Sequence, residues 1–172
     1  KKKKKLSGFI YTDKQTRGRG SKGKKWISEP GNLFSTLFFS LEENYPPFHE
    51  FTIINPIIVS DVIKNLCDIG KINFKFPNDI LINKRKVCGL LQEVITFDDK
   101  KFLIIGIGIN IVSNPDIKNN YEATNIFFET KTKFEIAEII KLLVASYESF
   151  FTNINQYNYR SYKKKVDLMS IN

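Results

Sequence analysis

Residues 72–112 read INFKFPNDILINKRKVCGLLQEVITFDDKKFLIIGIGINIV, and they commit this chain to a sheet. Apolar and β-branched runs at 80–82 and 87–95 flank Asn83-Lys84-Arg85, which predicts a hairpin. Residues 72–76 form a short strand, interrupted by Pro77-Asn78-Asp79. Asn and Asp favour such a turn because their side chains bond the nearby backbone. Asp98-Asp99-Lys100 is a further turn, and 102–112, FLIIGIGINIV, is a buried strand. Two glycines inside that strand point to close approach by another backbone or a ligand.

Working outward, residues 113–125 are polar, carry Asn114-Pro115 and read as loop. Residues 134–151 place Ile136, Ile139, Ile140, Leu143, Tyr147, Phe150 and Phe151 on one helical face. The tail from Asn153 is rich in Tyr and Lys and weakly amphipathic. Upstream, residues 50–68 carry Ile57, Ile58, Val62 and Leu66 as a buried helical stripe, with Pro56 in the first turns or at a kink. Pro46-Pro47 breaks the chain before it. Residues 33–41 (LFSTLFFSL) form a largely buried strand after the turn at Pro30-Gly31-Asn32, and residues 7–12 form another. The order β-β-α, a run of β, then α predicts an α+β domain with helices on one face of a sheet.

The 172 residues suit one domain with a sizeable core, and 15 phenylalanines argue against disorder. Net charge is +9, from 27 basic and 18 acidic residues, with five lysines opening the chain. Such a surface attracts acidic partners or nucleic acid. Cys67 and Cys88 have no metal-like spacing, which fits a reduced, cytoplasmic setting. The apolar run at 102–112 is too short to span a bilayer.

Residues 14–26, KQTRGRGSKGKKW, hold three glycines, six Lys or Arg and one Trp, with no acid. Glycines let a backbone bend and approach a ligand, and successive N–H groups make an anion-binding concavity. Arginine adds a two-pronged grip on carboxylate or phosphate. The stretch reads as a loop closing over a small anion, with Trp26 as a stacking face. Gly18–Gly23 also matches GxGxxG, but Pro30 and Gly31 follow where a helix is required. The phosphate-binding GxxxxGK[ST] pattern fails because Lys25 stands where Ser or Thr should hold magnesium.

QTRGRGSKGKKW, GNLFST, KFPNDILINKRKVCGLLQE and GIGIN occur in this order over residues 15–110, and together resemble the catalytic domain of biotin protein ligases. The resemblance implies a mixed sheet with helices on one side, related to class II aminoacyl-tRNA synthetases. It implies that biotin and MgATP give biotinyl-5′-AMP and pyrophosphate, after which a lysine of a carrier domain takes the biotin. An acidic carrier domain of acetyl-CoA carboxylase is the implied partner. By the same resemblance, Gln15, Gly18, Arg19, Gly20 and Ser21 belong to the biotin loop, and Gly89, Gly106 and Gly108 line the biotin pocket. Lys86 is the implied catalytic cation, meeting the carboxylate and the α-phosphate, with Arg19 and Asp79 beside it and Lys75 ranked lower. Trp26, Asn78 and Asn110 face ATP or the adenylate, and Asp79 is the candidate for Mg²⁺.

The departures carry expectations of their own. Ser21 stands where well-studied members have a second loop arginine, so faster release of the adenylate is expected. Arg17 replaces a small residue, Phe76 replaces a Trp, and Cys88 sits where a small residue is common. The family's upstream biotin-binding motif has no match in residues 1–14, and 166–172 resembles the entry to a small C-terminal domain. The chain is therefore expected to be a single catalytic domain truncated at both ends. The 172 residues show no helix-turn-helix pattern, so a repressor role is not expected from them. A sheet edge pairing two copies would make a homodimer. Two other readings stand beside this one: a lipoate–protein ligase with the same adenylate chemistry, and a basic nucleic-acid-binding module.

Overall fold

The computed structural model describes residues 6–66, 71–115 and 122–171. Its elements are β1 (Ser7–Thr12), β2 (Leu33–Ser40), α1 (Phe51–Leu66), β3 (Ile72–Lys75), β4 (Asp79–Ile82), β5 (Arg85–Phe97), β6 (Lys100–Ile109), α2 (Ile126–Thr130), α3 (Ile136–Thr152) and α4 (Tyr159–Met169). The strands form one sheet in the order β1-β2-β6-β5-β4-β3. All five pairings between these strands are antiparallel. Parallel contacts occur as single bridges, Phe74 to Ser170 and Lys86 to Ala123, so the sheet is mixed only there.

Both expected turns are tight, and they set the register. Asn83 and Lys84 (φ 50° and 65°) join β4 to β5, and Asp98 and Asp99 (φ 49° and 60°) join β5 to β6. Left-handed pairs match the twist of the flanking strands, and Asn and Asp accept that conformation with little penalty.

Side chains alternate between the two faces of a strand. Leu33, Leu37 and Phe39 of β2 lie opposite Ile109, Ile105 and Leu103 of β6, and this face joins the core beneath the helices. Helix α1 buries Phe51, Ile53, Ile54, Ile57, Ile58, Val59, Val62 and Ile63, more than one stripe, because α3 and α4 contact its outer side. Pro56 lies inside α1, which continues through it. Polar atoms in the core are paired. The Tyr147 hydroxyl donates to Asn55 Oδ1 (3.1 Å), and Asn55 Nδ2 donates to Gln92 Oε1 (3.0 Å), tying α3, α1 and β5 together.

The expectations differ from the structure at element ends. The strand foreseen over 102–112 starts at Lys100 and stops at Ile109. Beyond it, the N–H groups of Ile111, Val112 and Ser113 donate to Asn32 Oδ1 at 2.8, 3.2 and 3.3 Å, which turns the chain out of the sheet. The loop foreseen over 113–125 gives way to α2, whose start is capped by Asn125 accepting the Phe128 N–H (2.7 Å). The tail beyond Asn153 forms α4, and Ile171 N–H then donates to the Phe74 carbonyl (2.9 Å) along the outer side of β3. Residues 67 and 68 of the expected first helix, Cys67 among them, lie outside the described residues.

Candidate active site

The sheet face away from the helices carries a cavity of about 600 Å³. Its floor comes from β5 and β6 and its roof from the glycine-rich loop. Gln15, Arg19, Gly20, Ser21, Trp26, Asn78, Asp79, Lys86, Gly89, Gly106, Gly108 and Asn110 all line it. Of the residues proposed from sequence, Gly18 and Lys75 are outside the lining, and Gly18 acts on the loop itself. A Cβ there would stand 2.6 Å from the Trp26 carbonyl oxygen and 2.8 Å from Gln15 Oε1, so only glycine fits. Lys75 sits opposite Asp79 in the β3–β4 pairing and is not part of the lining.

The loop is a closed unit. Trp26 N–H donates to the Gly18 carbonyl (2.9 Å) and Gly20 N–H to the Lys24 carbonyl (2.7 Å). Its tip, Ser21–Gly23, is a 3₁₀ turn with Lys22 (φ 55°) and Gly23 (φ 73°) left-handed.

Lys86 and Gly89 both face the cavity although they are three residues apart, which regular alternation forbids. A β-bulge resolves this. Ile80 pairs with Cys88 and the next residue, Leu81, with Lys86, so Val87 is the extra residue. Bulges re-aim side chains in this way beside functional sites. The backbone of Lys86 is held on its other side by residues 122–124: its N–H donates to the Glu122 carbonyl (2.9 Å), and its carbonyl accepts from Thr124 N–H (2.8 Å).

Three groups meet above the bulge. Lys86 Nζ lies 2.6 Å from Asp79 Oδ1, with side chains 14% and 10% exposed, and 5.0 Å from the centre of the Trp26 ring. The ammonium is thus attracted by a carboxylate and by the ring's negative face in a partly dry setting. The Trp26 indole rests on Gly89 and Gly108, paired across β5 and β6. A Cβ would approach Trp26 Cζ3 to 2.5 Å from position 89 and Cζ2 to 2.6 Å from position 108. These two glycines therefore form a seat for the indole. A Cβ at Gly106 would make only ordinary contacts with Leu91, at 3.6 Å and beyond. Trp26 Nε1 is buried and has no acceptor among the described residues.

Other proposed residues also do structural work. The Asn78 carbonyl accepts from Leu90 N–H (2.8 Å). Asn110 Nδ2 donates to the Thr124 carbonyl (3.0 Å), its N–H to the Val87 carbonyl (2.8 Å), and its carbonyl accepts from Ile126 N–H (3.0 Å). Gln15 Oε1 accepts from the Ser28 hydroxyl (3.0 Å). Cys88 points to the core beneath this floor; burial pushes its thiol up, Lys86 opposes the shift, and Asp79 adds to it.

Sequence reasoning missed two acids. Glu93 grips Arg19 at 3.0 and 2.6 Å through both its oxygens. Glu129, with its side chain 4% exposed, accepts from Arg85 Nη2 (2.6 Å), Asn83 Nδ2 (3.0 Å) and the Thr124 hydroxyl. It pins the turn before Lys86 to α2. Each acid meets its arginine across 44 or more residues of chain, which no local pattern marks.

Residues 1–110 match the biotin/lipoate A/B protein ligase family. The chain is 30% identical over 145 residues to the bifunctional ligase/repressor BirA of Bacillus subtilis, covering 81% of this chain and 44% of that protein. It is 27% identical over 112 residues to the biotin–[acetyl-CoA-carboxylase] ligase of Paracoccus denitrificans, covering 64% of this chain and 47% of that one. The chain therefore spans somewhat under half the length of these relatives. Among solved structures, the biotin protein ligase of Aquifex aeolicus in complex with biotin and ATP superposes with a TM-score of 0.77 at 26% identity, over 95% of this chain and 68% of that one.

Proposed function

We propose that this chain, which belongs to the biotin/lipoate A/B protein ligase family, carries the catalytic site of a biotin–protein ligase. Biotin and ATP give biotinyl-5′-AMP and pyrophosphate, and a lysine of a carboxylase carrier domain then receives the biotin. The observation that carries this reading is the convergence of Lys86, the Trp26 indole on its glycine seat and the Arg19 loop on one cavity.

The chemistry needs that convergence. In the first step a carboxylate oxygen forms a bond to the α-phosphorus and pyrophosphate leaves. Two anions must be brought together, and fixed cations offset their repulsion and stabilise the charge of the transition state. In this reading Lys86 is the fixed cation of the step, and Arg19 lines the same cavity. The indole offers a flat surface for adenine. In the second step a lysine amine attacks the carbonyl of the anhydride, AMP leaves, and the amine gives up a proton. The loop roof keeps water from the anhydride meanwhile.

For magnesium, the residues fit a modest role. Among the described residues no cluster of three or more His, Cys, Asp or Glu forms a protein cage. Asp79 beside Asn78 offers one carboxylate and one amide. That suits Mg²⁺, which is commonly held by one or two carboxylates together with substrate phosphates. Bound there, the ion would offset phosphate charge. Asp79 would then divide itself between the ion and Lys86.

The partner reading is a carrier domain bearing the acceptor lysine, and the charge of +9 suits an acidic one. Among the described residues no strand pairs with the outer side of β1, which is where a second copy could add to the sheet, since the outer side of β3 is bonded to residues 170–171. A cytoplasmic setting goes with this reading; among the described residues no helix is long and apolar enough to cross a membrane.

Biotin-dependent ATP–pyrophosphate exchange with Mg²⁺, run on this chain and on Lys86→Ala, tests the proposal. Exchange that requires biotin and falls by about 10²-fold or more in the variant supports it. Exchange driven by lipoate and not biotin, or equal in the two proteins, refutes it.

A further inference from the structure

The Arg19–Glu93 pair stands apart from the rest of the site. An acid on the wall of a cavity built for anions is a liability, since it repels the ligand. Its surroundings give it no structural need either. On the same face of β5 its neighbours are Leu91 and Ile95, and across the sheet it pairs with Ile104. Among the described residues, Glu93 pairs with Arg19, which it grips through both oxygens at 3.0 and 2.6 Å.

The position of the pair explains the acid. The loop from Gly18 to Trp26 is bonded to itself, so a hold on one part restrains the rest. It meets the sheet at two places: the indole on Gly89 and Gly108 at its base, and Arg19 on Glu93 further along β5. With both contacts made, the cavity of about 600 Å³ still exists beneath the loop. That is within the usual range for a small-molecule site, so a ligand can occupy it while the pair stays intact.

We propose that Glu93 is the latch of the glycine-rich loop: it holds Arg19, and through Arg19 the loop, closed over the bound adenylate. Glu93 is thus a positioning residue that retains an anion while bearing a negative charge itself. Ser21 makes this latch more consequential, because the loop has no second arginine at that position to hold the ligand directly. The inference rests on the ligase reading for the identity of the ligand; the latch itself is a property of the ligand-free chain.

Glu93→Gln removes the charge and keeps the shape. The pair is largely exposed, at 69% and 42%, so the expected effect is about 2- to 5-fold. In ligand-free protein, trypsin cleavage at the loop's Arg and Lys bonds, followed by mass spectrometry, should quicken by that factor. Dissociation of preformed biotinyl-5′-AMP should quicken alike. Both differences should shrink in 1 M salt, where exposed charges are screened. Unchanged loop cleavage overturns the latch. So does slower adenylate release, which would mean that Glu93 draws Arg19 away from the ligand. If the wild type makes no adenylate, the ligase reading fails separately, and the cleavage rates alone decide the latch.

Discussion

Gly108→Ala is the most informative single substitution, because it adds one carbon where the indole already sits. The new Cβ would lie 2.6 Å from Trp26 Cζ2 and 2.8 Å from Cε2. Carbon atoms rest at about 3.5–4.0 Å, so the ring must retreat by roughly 1 Å. Gly108 is fixed by pairing to both Phe34 and Gly89, so the floor cannot yield. The ring must move instead, lifting off Gly108 and Gly89 and changing its contact with Lys86. A crowded core costs about 1–3 kcal/mol; here the loop can swing outward, which puts the cost at the low end of that range. For a chain of this size about 1 kcal/mol corresponds to a fall in Tm of roughly 2–4 °C.

The functional loss should exceed the loss of stability, since the displaced ring enlarges one side of the cavity and loosens its roof. Biotin affinity should fall at least about tenfold, which is about 1.4 kcal/mol. Trp26 is the chain's one tryptophan, so its fluorescence reports this site alone. Thermal melts, the emission spectrum and a biotin titration should be compared in the wild type, Gly108→Ala and Gly106→Ala. Position 106 has room for a methyl group and serves as the control. Emission and affinity like the wild type in Gly108→Ala would refute the claim that the glycines seat the indole.

Two further outcomes follow from buried groups. Glu129→Ala should cost about 1–3 kcal/mol, because it strips partners from Arg85, Asn83 and Thr124; loosening the turn before Lys86 should also lower the maximal exchange rate, with the biotin KM less affected, as chemical melts and exchange kinetics would show. In alkali the chain should lose stability. The Cys88 thiol, ordinarily near 9.0, and the Tyr147 hydroxyl, ordinarily near 10.0, are both pushed up by burial. Above those ordinary values the unfolded chain gives up protons that the native chain keeps, so unfolding becomes easier as pH rises beyond about 9. Urea melts from pH 8 to 10.5 should show that decline, less steeply in Cys88→Ala; an equal slope would count against the thiol.

Local rules read the elements with a clear apolar stripe or run. Helix α3 shows a clean stripe, with Ile139, Leu143, Tyr147 and Phe150 buried, and the two hairpin turns use residues that tolerate left-handed backbone. Helix α4 was harder to read, since in a strongly charged segment only Val166 is fully buried. Helix α2 has five residues, too few to show a period.

The order of strands and turns, the helices on one face and the basic, glycine-rich loop were determined by the sequence alone. The elements and the loop depend on neighbours within a few residues (side-chain period, turn chemistry and charge), and the helices on one face follow from the order of the elements. The resemblance read from four motifs supplied the expected site residues. Only the tertiary structure decided how they meet. The bulge at Val87 that turns Lys86 and Gly89 to one face and the indole seated on two paired glycines depend on strand register, while the acids at 93 and 129 hold Arg19 and Arg85 between elements far apart in the chain. Register is settled by the burial of whole faces at once, and no short window of sequence contains that sum.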